Sequence, residues 1–335
     1  MRSSLKCAGL IAINSVLTGY RFYNKTKFSG LETHISNSYM NPLLQMYKFT
    51  PILRNLALNH TATACAKEDC MLCQMGFLFD MLDKANGQNC QATNFLKTFS
   101  SLPTAARHGV LEEDSSSNGP LTAMIQSLNR FLLDQISLDQ RNWQPGSRAL
   151  EEAITIGATK SQRCNTCGKE SRPLGDTNVT DLIYPQKHNK PIQSFSVLVK
   201  QSIQLDTSQR GWCDKCRRYQ QQAMRKTVKR LPKVLMFNAT TNEKSHSYIR
   251  EHWLSPGWLP DEVGVLVENG QLSVYQGEEL ADIKEANGLV LYDLVGFVAE
   301  IRVEEERNTH LISFVNGMFA QSLSHAIRVD LMYAW

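Results

Sequence analysis

The sequence predicts an α+β protein, and three observations carry that prediction. Apolar residues recur at the helical period through the first 150 positions, short β-branched runs dominate after Glu151, and two C-x-x-C pairs punctuate the second half. Helix-rich sequence followed by strand-rich sequence points away from an alternating α/β sheet.

The segment 43–58 carries Leu43, Leu44, Met46, Tyr47, Ile52, Leu53 and Leu56 and reads as a helix that Pro51 kinks or breaks. A second apolar helix is expected over 72–82 and a short third over 94–99. Residues 114–119, Asp-Ser-Ser-Ser-Asn-Gly, are loop by composition. Leu121, Met124, Ile125, Leu128, Phe131, Leu132 and Ile136 then mark one face of a longer helix. Strands are expected over 195–199, 234–238, 264–267, 289–303 and 311–315, separated by turn residues.

With 42% hydrophobic residues in 335, the chain has ample material for a core, which excludes wholesale disorder. The net charge of +4 is too weak to argue for nucleic-acid binding by itself. No run approaches the roughly 20 apolar residues that cross a bilayer, so no membrane role is expected. Arg2 and Lys6 precede an apolar run in the manner of a signal peptide, but Asn14 and Ser15 interrupt it and no cleavage site follows. Residues 1–19 are therefore read as a leader outside the fold.

Nine cysteines, an odd number in a long chain, fit reduced thiols better than a disulfide scaffold. Cys164-x-x-Cys167 and Cys213-x-x-Cys216 are separated by 45 residues. Each C-x-x-C turn delivers two sulfurs to one point, and two such knuckles complete the tetrahedral shell of a structural zinc. Four cysteines close that shell, so no catalytic metal is expected there. The rival reading is two unrelated thiol pairs. His60, Cys65, Cys70 and Cys73 form a second candidate set, with small cysteines packed between helices as its rival. Cys7 and Cys90 are read as ordinary thiols.

Residues 30–45, GLETHISNSYMNPLLQ, resemble the cysteine box of ubiquitin-specific proteases, G-L-x-N-x-G-N-T-C-Y-x-N-S-x-L-Q, with matches at Gly30, Leu31, Tyr39, Asn41, Leu44 and Gln45. Residues 309–315, THLISFV, resemble the strand that carries that family's general base, and 292–298, YDLVGFV, the strand before it. The resemblance implies a papain-like fold: a helical thumb at 20–150, zinc-ribbon fingers at 151–232 and a β-rich palm at 233–316, shortened at its end, with 317–335 a divergent tail. The departures fall on the chemistry. Ser38 stands where the nucleophilic cysteine belongs, Thr33 replaces the asparagine that donates to the oxyanion, and Ile35 replaces a glycine. His310 matches the base. A hydroxyl needs a well-oriented base and a strong oxyanion hole, so a degenerate protease is expected, with an active deubiquitinase as the alternative.

A closer resemblance lies in YRFYNKTKFSGLETHISNSYMN, CMLCQMGFLFDMLD, IQSLNRFLLDQ, LPKVLMFNAT and residues 253–260, WLSPGWLP, which look like the ubiquitin-hydrolase-like domain of the catalytic subunits of poly(A)-nuclease deadenylation complexes. That resemblance implies a scaffold in mRNA tail shortening and cytoplasmic mRNA decay, in processing bodies. It also implies a regulatory subunit and the poly(A)-binding protein machinery as partners. A β-propeller and a DEDD-type exonuclease flank the domain in that family, and neither is expected in these residues. Asp261-Glu262 and Glu304-Glu305-Glu306 are not the D-x-E pair of such a nuclease and read as solvated surface. Lys215, Arg217, Arg218, Arg225, Lys226, Lys229, Arg230 and Lys233 could line an mRNA contact or an ordinary solvated ribbon. Trp253, Leu254 and Trp258 could anchor a neighbouring domain or fill the core.

Overall fold

The computed structural model describes residues 28–112, 121–184, 193–204, 206–239, 252–253, 255, 257–302 and 309–315. The expected leader, the loop at 114–119, Leu254, the Glu304–Glu306 run and the tail at 317–335 lie outside them. A 3₁₀ turn, Ser38–Met40, leads into α1 (Asn41–Phe49), α2 (Pro51–Thr61), α3 (Met71–Lys84), α4 (Thr93–Ser101), α5 (Pro103–Arg107), α6 (Leu121–Trp143) and α7 (Ala149–Ile154). The chain continues through β1 (Gly157–Cys164), β2 (Glu170–Ser171), β3 (Thr180–Asp181), α8 (Phe195–Ile203), β4 (Asp206–Cys213), β5 (Arg218–Arg230) and β6 (Phe237–Asn238). It ends with β7 (Glu262–Glu268), β8 (Gln271–Tyr275), α9 (Gly277–Ile283), β9 (Val290–Asp293), β10 (Gly296–Arg302) and β11 (Thr309–Val315).

Two units emerge. One gathers the described residues up to Leu150 with those from Val295 onward, the other those of 151–294. In the first unit, α1 is the buried centre: Leu43, Leu44, Met46 and Tyr47 lose essentially all solvent contact. Burying each such side chain contributes about 1.5–3 kcal/mol. Pro51 breaks the helix instead of kinking it. Thr50 is driven to φ −92°, ψ 106°, because a residue before proline is excluded from the helical region, and Pro51 then opens α2. The antiparallel hairpin β10–β11 packs against α1. Their approach depends on Gly296, where an added methyl would press on the Phe314 carbonyl oxygen and come within 2.8 Å of Met46 Cε. Gly296→Ala is expected to lower stability by about 1–3 kcal/mol, read as a shift in the denaturation midpoint, whereas a change under about 0.5 kcal/mol would refute this close approach.

The second unit holds a four-stranded sheet in the order β2-β1-β5-β4, a three-stranded sheet β8-β7-β9 and a parallel pair β3-β6. Residues 195–199, expected as a strand, instead begin α8. The five-residue window FSVLV hides the period, but over the full element Phe195, Leu198, Val199, Ser202 and Ile203 are buried, the i, i+3, i+4 pattern of a helix face. The run 289–303, expected as one strand, divides at Leu294, where its N–H donates to Asp261 O at 2.8 Å. β9 serves the three-stranded sheet and β10 pairs with β11. Only Phe237 and Asn238 of 234–238 are strand, because the Lys233 and Val234 N–H groups both turn to Ala153 O. Trp253 and Trp258 are core: their rings lie 4.5 Å apart and both pack on Phe195.

Candidate protease turn and metal centres

The residues that match the protease box hold the turn together. Gly30 O and the Glu32 N–H bond the Cys90 backbone, Asn41 Nδ2 donates to Glu32 O at 2.9 Å, and Gln45 Nε2 donates to Ser29 O. Tyr39 is buried and its hydroxyl donates to Val110 O. That burial raises its phenol far above the ordinary tyrosine value.

The residues that depart from the box leave no machinery for hydrolysis within the turn. Ser38 Oγ donates its proton to Thr33 O at 2.7 Å, and the Ser38 N–H, the natural oxyanion donor, is spent on Ile35 O at 3.0 Å. The neighbouring Asn37 N–H donates to the Glu112 carboxylate at 2.6 Å. Asn37 Oδ1 accepts the Glu112 N–H, and Asn37 Nδ2 donates to Ser100 Oγ, which pins Asn37 at φ 65°. A developing oxyanion here would meet two occupied donors and a nearby negative charge, the reverse of a preorganised hole. The Thr33 side chain is exposed and carries no amide. His310 pairs with Ile301 in the hairpin that packs against α1; its side chain lies outside the described residues.

The second-half cysteines converge as expected. Cys164, Cys167, Cys213 and Cys216 place their sulfurs within 4.8 Å of one another. The Cys164–Cys216 and Cys167–Cys213 separations are 4.0 and 3.6 Å, around the edge of about 3.8 Å that Zn–S bonds of about 2.3 Å impose on a tetrahedron. β1 supplies the first knuckle and the β4–β5 turn the second. Gly168 and Arg217, each just past the second cysteine of its pair, both take positive φ, 69° and 50°. Backbone N–H groups of Cys167 and Thr166 draw the Cys164 thiol down to about 6. The hydrogen bond to Cys167 and then burial push Cys216 up to about 12. A divalent cation binds thiolates, so its binding here would release protons from the cysteines.

His60, Cys65, Cys70 and Cys73 also converge, with donor atoms within 4.8 Å of one another. His60 Nε2 lies 3.3 Å from Cys70 Sγ, close to the roughly 3.5 Å that separates nitrogen and sulfur on a tetrahedral zinc. Cys70 caps α3, accepting the Cys73 N–H at 3.4 Å. Burial raises both thiols, Cys73 to about 11, and lowers the His60 imidazole. Three thiols and one imidazole gathered at this spacing could bind zinc by releasing protons.

Motif reading missed Asp139, which supports this second cluster from α6. Its fully buried carboxylate accepts the Met71 and Leu72 N–H groups and Lys67 Nζ at 2.9, 3.2 and 2.8 Å. It sits 68 residues from Met71, so no local spacing announces it. Asp261 and Glu262 belong to a turn and β7, and Glu262 pairs with Lys284 at 2.7 Å.

The sequence matches the ubiquitin carboxyl-terminal hydrolase family over residues 29–325. It is 52% identical over 304 residues to the PAN2-PAN3 deadenylation complex catalytic subunit PAN2 of Coccidioides immitis and 50% identical to that of Aspergillus terreus, matching over 89% of this chain in both. The chain spans about a quarter of these relatives, 24% and 26%. The structure of the Neurospora crassa Pan2 catalytic unit (protease and nuclease domain) aligns with a TM-score of 0.78 at 32% identity, over 89% of this chain and 50% of that one. The Saccharomyces cerevisiae PAN2 pseudoubiquitin-hydrolase-RNase module shares the fold, with a TM-score of 0.73 at 22% identity over 87% and 46%. The expected ubiquitin-hydrolase-like α+β fold is the one observed.

Proposed function

The chain belongs to the ubiquitin carboxyl-terminal hydrolase family, and from the names of its relatives together with the occupied turn we propose that it is a non-catalytic scaffold within a poly(A)-specific ribonuclease subunit. The observation that carries this reading is the turn at Ser38, whose backbone donors are already bonded to Ile35 O and the Glu112 carboxylate. Lacking one oxyanion donor costs on the order of 100-fold or more in rate, and here two are occupied. The names of the curated relatives support a role in deadenylation and disfavour the alternative of an active deubiquitinase.

In this reading the residues up to 150 form a thumb, 151–232 zinc-ribbon fingers and 233–316 a palm. Cys164, Cys167, Cys213 and Cys216 hold one structural zinc, and His60, Cys65, Cys70 and Cys73 a second. The regulatory subunit, the poly(A)-binding protein machinery and mRNA are its partners, in the cytoplasm and its processing bodies. Among the described residues no helix is long and apolar enough to cross a membrane.

A ubiquitin-derived electrophilic probe and a fluorogenic ubiquitin substrate test the proposal on the native chain and on Ser38→Cys. Neither is expected to react, because restoring the sulfur frees neither backbone donor. Turnover by the native chain that Ser38→Ala abolishes would overturn the scaffold reading. Turnover by Ser38→Cys would overturn the account given for the turn.

A further inference from the structure

The four-stranded sheet carries an exposed aromatic pair that the zinc shell does not explain. Trp212 on β4 and Tyr219 on β5 are directly paired across the strands, their ring centroids 5.6 Å apart at 76°. Their exposures are 53% and 61%, far above what two large rings retain when they serve a core. Strand alternation puts Arg210 and Gln221 on the same face, and the β1–β5 register adds Arg163 beside Ala223. These five side chains are all exposed. Charge is concentrated on the same sheet. Residues 157–171 and 206–230 hold eleven Lys or Arg against three acidic residues, so this part, about an eighth of a +4 chain, carries a larger positive excess than the whole.

We infer that this face of the sheet, centred on Trp212 and Tyr219, binds single-stranded RNA, with bases stacking on the two rings and Arg163 and Arg210 meeting phosphates. The inference rests on the mRNA contact of the reading above and gives it a place. Aromatic platforms on a β-sheet ringed by cations are the chemistry that unpaired bases require, since every base has a π-face and every linkage a negative charge. A duplex hides its base faces and cannot use the rings. Trp, Tyr and Arg also anchor protein–protein contacts; what favours RNA is the excess of eleven basic over three acidic residues on this sheet. Beside the rings on this face stand Arg210 and Gln221, then Ser208 and Ala223; farther out Glu170 faces Arg163 across the β1–β2 register and Asp206 pairs with Arg225 at 3.8 Å. Lys226, counted in the sequence among the basic stripe, is no part of this face: it is buried and donates to Thr177 Oγ1 at 2.8 Å.

Fluorescence anisotropy of the native chain with a fluorescein-labelled 20-mer of oligo(A), across a salt series, tests the inference. Trp212→Ala and Tyr219→Ala are each expected to weaken binding about fivefold or more, and Tyr219→Phe to retain it. Arg163→Gln and Arg210→Gln are each expected to reduce the salt slope by about 0.7. Unchanged zinc content by native mass spectrometry shows that each variant keeps its fold. Three results would overturn the inference: no binding by the native chain at roughly 0.1 M salt and tens of micromolar protein, ring variants that bind like the native chain, or a duplex bound as tightly as the single strand. Loss of regulatory-subunit binding by the ring variants, without RNA binding by the native chain, would also overturn it and assign the patch to a protein. Ubiquitin turnover is a separate readout, so failure here and failure of the scaffold reading are distinguishable.

Discussion

Native mass spectrometry of the folded chain is expected to find two zinc equivalents, and Cys213→Ser to remove one of them together with the order of the sheet tip. The sulfurs of Cys164, Cys167, Cys213 and Cys216 already stand at tetrahedral spacing, yet each knuckle is a turn that the chain adopts at a cost. Gly168 takes positive φ freely, but Arg217 does so at about 1–2 kcal/mol, because its Cβ crowds the following carbonyl. Without an ion, the β4–β5 turn has little apolar burial to offset that strain: every residue of β4 except Gly211 and Cys213 is exposed. Zinc bound to finger peptides contributes an apparent 10–16 kcal/mol or so, which makes metal affinity part of the folding free energy. Chelation should therefore expose the amides of β4 and of the first half of β5 to rapid hydrogen exchange, while α1 and α3 of the other unit keep their protection if the His60 cluster retains its ion. A chain that holds no zinc and still protects β4 would sink this expectation.

The first cysteine cluster was legible in the sequence because its geometry is local: two residues between cysteines suffice to define a knuckle, and only two knuckles need meet. The helices of the first unit were legible for a similar reason, since Leu121 to Ile136 repeats the period over more than three turns and Leu43 to Leu56 carries it on both sides of the break at Pro51. The misreading of 195–199 marks the limit of that method. Five apolar-rich residues fit a strand and a helix equally, and only Ser202 and Ile203, further along, reveal the helical face. The protease box was legible as a resemblance, and its loss of sulfur could be read from position 38 alone. Its occupied donors could not. Glu112 lies 75 residues from Asn37, and nothing in either segment signals the pairing. The same applies to the aromatic pair, since only the register of β4 on β5 sets Trp212 opposite Tyr219.

Asp139→Ala is expected to cost about 3–5 kcal/mol and to weaken the second zinc site without touching any of its ligands. The Asp139 carboxylate has no solvent exposure, and it is the acceptor for the first two amides of α3 as well as for Lys67. Those amides sit at the positive end of the helix dipole, where a buried carboxylate is favoured and where no preceding helical carbonyl can take its place. Removing it orphans two buried N–H groups at about 1–3 kcal/mol each. It also leaves the Lys67 side chain, 30% exposed, with the longer 3.6 Å contact to Asp69 as its remaining ion pair. Cys70 and Cys73 occupy the N-cap and third position of that same helix, so fraying its first turn moves two of the four proposed zinc ligands at once. Asp139→Asn separates the two contributions. Its amide oxygen still accepts from α3 but offers Lys67 no charge, so its loss should be smaller, about 1–3 kcal/mol, with zinc retained. Chemical denaturation with parallel zinc measurement reads both. Equal losses for the two variants would mean that the ion pair, not the cap, holds α3 in place. Full zinc retention by Asp139→Ala would mean that the His60 cluster stands without support from α6.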